Sequence, residues 1–347
     1  MSAKTLKTIG ELAGAGLVSQ DRQAELETVA KRYAVAITPS MLALIDRLDA
    51  SDPIAAQFVP DGRELVTRNE ERADPIGDHA HSPVTGIVHR YPDRVLLKAT
   101  HSCPVYCRFC FRREMVGPEG DGTLSPDELR QALAYIAAHD EIWEVILTGG
   151  DPLVLSPRRL TAIMEGLKAI EHVKIVRFHS RVPVVDAPRI DARLIEALKA
   201  SEKTVYIAIH TNHPRELTQE ARAAIQRLHA AGFGLLSQTV LLKGINDDVS
   251  VLKELMRTFV ELRIRPYYLH HPDLAPGTGH FRLSVTEGQA LVRQLRGHVS
   301  GLCQPTYVLD IPGGHGKVPI AASSILEDPE GHVLTDFRGE SHLYPRA

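Results

Sequence analysis

Apolar and polar residues alternate along most of the chain in two patterns. Short apolar runs predict strands, and longer stretches with apolar residues three and four positions apart predict amphipathic helices. After residue 94 the two patterns follow each other in turn, which is typical of a parallel sheet with right-handed crossovers. Six or more such units predict an α/β fold, a full or partial barrel with functional residues at the carboxyl ends of its strands. The predicted strands span 95–98, 144–148, 173–178, 204–209, 234–239, 266–270 and 306–309, and the predicted helices lie near 157–170, 190–200, 215–231, 249–262 and 286–298.

The first part of the chain is polar and helical instead. Helices are predicted at 20–33 and 39–48, and the Pro-, Gly- and Asp-containing stretch 70–88 predicts a linker that crosses the surface. Further on, Ser125 followed by Pro126 and Glu128 predicts the start of a helix with a capping box. We therefore divide the chain into an N-terminal helical region with a linker, a barrel and a short C-terminal tail, at residues 1–88, 89–320 and 321–347.

Composition and charge exclude several classes of protein. Hydrophobic residues make up 44% and charged residues 24% of the 347 residues, so a sizeable core is available and wholesale disorder is excluded. The net charge of −3 gives no indication of a nucleic-acid or membrane partner. No apolar run approaches the roughly 18 residues that span a bilayer, and the N-terminus has no long apolar segment of a secretory signal. We expect a cytoplasmic protein.

Three of the four cysteines lie close together, at Cys103, Cys107 and Cys110. A disulfide scaffold would carry more cysteines, so this cluster indicates a metal or iron–sulfur site in a reduced compartment. Three thiolates on a four-iron cluster leave one iron open to another ligand. The alternatives are a zinc site completed by His101 and thiols without a special role. Cys303 is expected to be a buried free thiol.

Two further motifs carry candidate chemistry. Gly149, Gly150 and Asp151 follow a predicted strand, where glycines let the backbone approach a ligand, although such pairs also form plain tight turns. Lys317 ends a glycine-rich loop that begins at Asp310, and it suits a phosphate clamp, a Schiff-base amine or merely a flexible surface loop.

A basic and aromatic stretch precedes the first predicted strand. Arg90 and Arg94 lie four residues apart with Tyr91 between them, and two guanidinium groups so placed can fork onto one phosphate. The alternative is a solvated basic turn.

The C-x3-C-x2-C spacing after the first strand resembles the radical S-adenosylmethionine superfamily. With HRYPDRVLL, LTGGDPL, QTVLLKGIND, RPYYLHHPD and DIPGGHGK in this order, the chain resembles the lysine 2,3-aminomutase family over about residues 30–325. The resemblance implies a partial (β/α)6-type barrel, and a [4Fe–4S] cluster, S-adenosylmethionine and pyridoxal 5′-phosphate as cofactors. It also implies an isomerase that interconverts L-lysine and β-lysine through a 5′-deoxyadenosyl radical and a pyridoxal-phosphate aldimine.

The resemblance also assigns roles to individual residues. Two carboxylates suit the ε-ammonium of lysine, because a buried ammonium is costly unless it is paired, and they disfavour glutamate. The implied roles are cluster ligation by Cys103, Cys107 and Cys110; S-adenosylmethionine binding by Gly149, Gly150 and Asp151; phosphate binding by Arg90, Tyr91 and Arg94; the catalytic aldimine at Lys317; substrate carboxylate binding by Arg112; and ε-ammonium binding by Asp273 and Asp310.

The chain departs from the family pattern at two places. His315 stands where members commonly carry glycine, which predicts a changed loop shape rather than loss of function. The cysteine-rich C-terminal segment that binds zinc in longer members is not found, so no zinc site is expected.

Two other functions remain as alternatives. One is the family branch that isomerises a lysine of elongation factor P; Asp310 favours free L-lysine over it. The other is a non-catalytic iron–sulfur or zinc-binding module. The expected partners are the small-molecule substrate and a reducing donor such as flavodoxin or ferredoxin, and a homo-oligomer is a candidate assembly.

Overall fold

A curved nine-stranded sheet forms a partial barrel at the centre of the computed structural model, which describes residues 4–117, 122–329 and 331–345. The strands lie in chain order from β1 to β9. Strands β2 to β8 are parallel, and β1 and β9 pair antiparallel at the two ends of the sheet. The nine strands are β1 Ile87–Tyr91, β2 Arg94–Thr100, β3 Glu144–Gly149, β4 Ile175–Ser180, β5 Thr204–His210, β6 Gly234–Val240, β7 Arg265–His270, β8 Thr306–Asp310 and β9 Lys317–Pro319.

Helices connect the parallel strands, as the alternating pattern predicts. Ser125 caps its helix by accepting a hydrogen bond from the amide of Glu128, and the predicted capping box is present. The helices are α1 Ile9–Gly14, α2 Gln23–Arg32, α3 Pro39–Leu42, α4 Ala55–Phe58, α5 Pro126–Ala137, α6 Pro157–Lys168, α7 Val182–Val185, α8 Ala192–Lys199, α9 Gln219–Ala230, α10 Val249–Glu261 and α11 Val285–Arg293. Short 3₁₀ turns lie at Gln20–Arg22, Gly62–Leu65, His79–His81, Pro152–Val154, Ala187–Arg189, Pro214–Glu216, Gly279–Phe281 and Gly301–Cys303.

All seven predicted strands are confirmed, but the helix predicted at 39–48 is wrong over most of its length. Only α3 forms, capped by the side chain of Thr38. Beyond it, the carboxylate of Asp46 accepts a hydrogen bond from the amide of Leu48 at 2.9 Å, a local turn that competes with the helix. Leu48 is 98% exposed, so its side chain gains no burial from a longer helix.

The N-terminal region shares its hydrophobic core with the barrel. Buried Ile9, Leu26 and Phe58 belong to the same cluster as Leu97 of β2 and Ile207 of β5. None of the helices in the described ranges is long and apolar enough to cross a membrane.

A buried ion pair also ties the N-terminal region to the cysteine segment. The carboxylate of Glu64 accepts hydrogen bonds from Arg108, with Nε 3.0 Å from Oε1, and from Arg113. These contacts hold the cysteine loop against residues that lie far away in the sequence.

The stretch 70–88 is not a surface linker over its length, which corrects the prediction. Ile76 and Asp78 are buried. A Cβ atom at Gly77 would lie 2.6 Å from the carbonyl carbon of Gly313, so its backbone packs directly on the glycine-rich lysine loop. The content of Pro, Gly and Asp indicates bends in the backbone and does not by itself indicate exposure.

The C-terminal tail contains a second sheet that the sequence did not predict. Strands β10 Ile325–Asp328, β11 Gly331–Thr335 and β12 Ser341–Pro345 form an antiparallel sheet of three strands. Its turn residue Phe337 packs on the backbone of Gly297 and places its ring 5.5 Å from that of His298. The tail therefore contacts the segment that follows α11.

Candidate active site

A cavity of about 580 Å³ collects every site residue that the sequence predicts. It lies within the curved sheet and includes the loops at the carboxyl ends of the strands, as expected for a barrel of parallel strands. The predicted residues that line it are Arg90, Tyr91, Arg94, Cys103, Cys107, Cys110, Arg112, Gly149, Gly150, Asp151, Asp273, Asp310 and Lys317.

The cysteine loop follows β2 and presents its three sulfur atoms to this cavity. The sulfurs of Cys103, Cys107 and Cys110 do not all lie within 4.8 Å of one another, and among the described residues no three-ligand set with His101 does so either. Tetrahedral zinc with sulfur ligands at about 2.3 Å would hold its sulfurs about 3.8 Å apart. A spacing wider than this suits a cluster in which each thiolate binds a different iron.

Arg181, which the sequence analysis missed, lies beside this loop. Its Nη1 donates a hydrogen bond to the sulfur of Cys107 at 2.8 Å, and its Nη2 lies 2.6 Å from a carboxylate oxygen of buried Glu216. Burial raises the pKa of Cys103, and raises that of Cys110 to about 11. Arg181 directly follows β4. This position at the carboxyl end of a parallel strand is the feature of the sequence that could have identified it as a site residue.

The glycine turn makes room for the cysteine loop. Gly149 has φ +107°, and a Cβ atom on Gly150 would lie 2.3 Å from the carbonyl oxygen of Ser102. The amide of Gly150 donates to the carbonyl of Thr100 at 2.6 Å, and that of Asp151 donates to Ser102 at 2.9 Å. The two glycines are therefore required by the close approach of two backbones, whether or not a ligand is bound.

The carboxylate of Asp151 joins the ends of β3 and β4. It accepts hydrogen bonds from the hydroxyl of Ser180 at 2.8 Å and from the amides of Leu153, Arg181 and Val182 at 3.0, 2.7 and 3.1 Å. Both oxygens are thus engaged by the protein. Any contribution of Asp151 to cofactor binding comes through the shape of the turn.

Lys317 and Asp310 form an ion pair across a short hairpin. The two residues are direct partners in the register of β8 and β9, and Nζ of Lys317 lies 2.5 and 2.6 Å from the two carboxylate oxygens. Burial alone would raise the pKa of Asp310, but His270 and Lys317 hold it well below its usual range. The amide of Lys317 donates to the hydroxyl of Tyr91 at 2.7 Å. Asp310 is therefore an anion with an ammonium partner.

His315 does not disturb this hairpin. The left-handed positions of the loop are Gly313, Gly314 and Gly316, whereas His315 is not among the non-glycine residues with positive φ. Its side chain is exposed. This position therefore has no need of glycine.

Asp273 lines the same cavity, but its carboxyl group differs from that of Asp310 in protonation and in hydrogen bonding. Its carboxylate makes none of the hydrogen bonds or ion pairs found among the described residues. Burial and the charge of Asp310 raise its pKa to about 7, against the opposing charges of Lys317 and Arg112. The two acids thus differ: Asp310 is ionised and paired, and Asp273 is close to half-protonated at neutral pH.

Asp78 joins two of the predicted arginines and was also missed. Its fully buried carboxylate accepts from Nη2 of Arg112 at 3.0 Å through one oxygen and from Nη2 of Arg90 at 3.0 Å through the other. Arg94 instead pairs with Asp93 at 2.6 Å and stacks 3.8 Å above the ring of Tyr91. One carboxylate therefore fixes the positions of Arg90 and Arg112 together.

We expect Asp78→Asn to lower the free energy of unfolding by about 3–5 kcal/mol, because two buried guanidinium groups would lose their shared counterion. Urea unfolding followed by circular dichroism measures this. Asp93→Asn is the matched control: its side chain is 53% exposed in a pair with Arg94, and it should cost less than about 1 kcal/mol. Equal losses in the two variants would contradict the shared-counterion role.

Three histidines complete the wall of the cavity. His179, His210 and His270 lie on β4, β5 and β7, and the buried Nε2 of each has no hydrogen-bond partner. Burial lowers the pKa of all three, that of His210 to about 3, so they are neutral. Polar atoms left unpaired inside a cavity fit a polar ligand, because they would otherwise cost free energy.

A partial barrel with three clustered cysteines after its first parallel strand defines a radical S-adenosylmethionine enzyme. Residues 97–255 match the family model of the radical SAM superfamily, and residues 292–347 match the lysine-2,3-aminomutase model. The L-lysine 2,3-aminomutase of Clostridium subterminale is 40% identical over 340 residues, which is 98% of this chain and 81% of the relative. The chain therefore belongs to the lysine 2,3-aminomutase family.

Other relatives show how wide this family is. The L-lysine 2,3-aminomutase of Bacillus subtilis is 36% identical over 98% of this chain and 72% of its own length. The glutamate 2,3-aminomutase of Clostridioides difficile is 37% identical over 89% of this chain and 72% of its own length. The chain is thus a radical S-adenosylmethionine aminomutase, which is an isomerase, and the alternative of a non-catalytic binding module is wrong.

The family uses a [4Fe–4S] cluster, S-adenosylmethionine and pyridoxal 5′-phosphate. The residues present fit these groups. The spread of the three sulfurs suits a cluster, the unpaired histidine nitrogens suit a polar ligand, and Lys317 offers an amine inside the cavity.

Proposed function

We propose that the chain is an L-lysine 2,3-aminomutase that interconverts free L-lysine and β-lysine. The observation that carries this proposal is the pair Asp273 and Asp310, two carboxylates that line one cavity together with Lys317 and Arg112. An ammonium group between two acids is stabilised, whereas the carboxylate of glutamate would be repelled.

The proposed residue roles follow from this arrangement. Cys103, Cys107 and Cys110 ligate the cluster, and Gly149–Asp151 shape the turn that holds S-adenosylmethionine. Lys317 bonds pyridoxal phosphate. Arg90, Tyr91 and Arg94 hold its phosphate group, Arg112 binds the substrate carboxylate, and Asp273 and Asp310 bind the ε-ammonium.

When bound, the cluster and S-adenosylmethionine supply a carbon radical, and pyridoxal phosphate supplies a carbonyl and a ring that delocalises an unpaired electron. The chain supplies position and charge. Asp310 stays ionised, so it can exchange the ammonium of Lys317 for that of the substrate without taking up a proton. Arg112, held by Asp78, fixes the other end of the amino acid, and the enclosing sheet excludes water from the radical.

The decisive experiment offers the reduced, cofactor-loaded protein either free L-lysine or unmodified elongation factor P. We expect rapid formation of β-lysine from the free amino acid, detected by mass spectrometry, and no modification of the protein lysine. A trivial rate with L-lysine together with efficient modification of elongation factor P would assign the chain to the other branch. Glutamate serves as the negative control.

The biological setting is also proposed here. A low-potential protein such as flavodoxin or ferredoxin reduces the cluster in the cytoplasm, and the chain assembles with further copies of itself. We also propose residues 1–88, 89–320 and 321–347 as three units of the chain. Residues 1–88 pack against the barrel, because buried side chains of both units belong to one hydrophobic core.

The raised pKa of Asp273, about 7, predicts a pH dependence of lysine binding. Below pH 7 the carboxyl group is protonated and must release its proton to pair with the ε-ammonium, so the affinity should fall by up to about tenfold per pH unit. Above pH 7 the affinity for lysine should level off. His179 and His210 have lowered pKa values and do not titrate in this range.

Calorimetry of lysine binding in buffers of different ionisation enthalpy measures this proton release at pH 6. Asp273→Asn is the control: it should bind lysine more weakly at every pH and without proton release. A wild-type protein that releases no proton at pH 6 would show that Asp273 does not receive the ammonium.

A further inference from the structure

A second cavity shares part of its wall with the active site. It has a volume of about 1010 Å³ and is lined by the start of the chain, the end of α2, the segment after the cysteines and the turn after α7. Cys103 and Pro104 line this cavity and the active-site cavity alike. We call it the reductant cleft. These two residues of the cysteine loop therefore form a wall that the two cavities share.

The reductant cleft is basic, although the whole chain carries a net charge of −3. Its described lining contains two acidic residues, Glu114 and Asp186. Glu114 is neutralised by Arg32 at 3.3 Å. The basic side chains of the lining are Lys7, Lys31, Arg32, Arg113 and Arg189.

Three of these positive charges have no acidic partner among the described residues. Lys7 and Lys31 are exposed, and their ammonium groups make no ion pair there. Arg189 donates only to backbone carbonyls, including that of Leu155 at 2.9 Å. Arg113 is different, because it pairs with buried Glu64. The cleft therefore presents a surplus of positive charge next to Cys103.

We infer that the reductant cleft is the docking site of an acidic one-electron carrier protein of the flavodoxin or ferredoxin class. The inference rests on the proposed cluster at the three cysteines. A folded carrier is too large for a cavity of about 580 Å³, whereas Cys103, a proposed ligand of the cluster, also lines the reductant cleft, so an electron can pass from the cleft to the cluster through this one residue. The carrier loses one electron and the cluster gains it, with no bond made and no proton moved.

Charge complementarity supports this choice of partner. Positive side chains around a concave surface attract an acidic protein and speed its association by about 10- to 1,000-fold at low ionic strength. A basic carrier such as cytochrome c would be repelled by the same surface.

The test uses the cofactor-loaded enzyme, a purified bacterial flavodoxin and the double variant Lys7→Glu/Lys31→Glu. We expect the Kd for flavodoxin, measured by biolayer interferometry at low salt, to rise at least about tenfold. The difference should shrink at high salt, where charges are screened. Turnover driven by flavodoxin should fall in parallel, while turnover driven by dithionite should stay unchanged.

Lys174→Glu/Lys199→Glu is the matched control, since it makes the same charge change at two exposed lysines away from the cleft. Wild-type binding by the cleft variant, or equal weakening by the control, would overturn the inference. The milder Lys7→Gln/Lys31→Gln variant should show a smaller shift in the same direction. Failure of turnover with dithionite in all variants would count against the proposed function, while the binding measurement would still decide the docking site.

Discussion

Replacing Lys317 with alanine is expected to lower turnover by at least about a thousandfold, because it removes the amine that we propose to bond the cofactor. The fold should survive. The side chain is 29% exposed, and among the described residues its ammonium pairs with Asp310 alone. The measurements are β-lysine formation and the absorbance of bound pyridoxal phosphate, with thermal unfolding to confirm folding.

The variant Lys317→Arg distinguishes the role of the positive charge of Lys317 from the role of its covalent bond to the cofactor. Arginine keeps a cation beside Asp310 but has no amine that can bond a carbonyl, so this variant should be as inactive as the alanine variant while retaining the ion pair. Lys243→Ala, at an exposed lysine after β6, should keep full activity. An active Lys317→Arg protein would mean that the residue acts only through its charge.

Serine in place of Cys103, Cys107 or Cys110 is expected to remove the iron and reduce activity to background. Each sulfur would hold a different iron, and no described histidine or carboxylate lies close enough to complete a three-ligand group with the remaining cysteines. Iron content per chain and the visible spectrum of the anaerobically reconstituted protein are the readouts.

Cys303→Ser provides the control for this series. This thiol is 4% exposed, belongs to the hydrophobic core and is not among the described residues that line the active-site cavity. The variant should keep its iron and lose only some stability. A triple cysteine variant of the loop that retained full iron would place the cluster elsewhere.

Much of the fold could be predicted from the sequence because short strand segments with several apolar residues alternate with amphipathic helical segments along the chain. The cysteines, the glycine turn and Lys317 could be predicted because each motif is local. Their convergence on one cavity follows from the rule that parallel strands present their carboxyl ends at one side of a sheet.

Asp78 and Arg181 could not be predicted in the same way, because their meaning depends on distant partners. Asp78 pairs with Arg112, 34 residues away, and Arg181 contacts Cys107, 74 residues away. Sequence reasoning assigned Asp78 to a linker from composition alone. The short helix α3 shows that a local pattern can also mislead. The helical sequence pattern continues past Leu42, but the turn at Asp46 takes the place of a longer helix.

The order of the strands has a consequence for the synthesis of the protein. Because β1 to β9 lie side by side in chain order, the strands around the site leave the ribosome one after another, from one edge of the sheet to the other. The cysteine loop emerges with the second strand, whereas Lys317 emerges with the ninth and reaches Asp310 only when the last hairpin closes. All three cysteines are thus present in the nascent chain well before the lysine that we propose to bond the second cofactor.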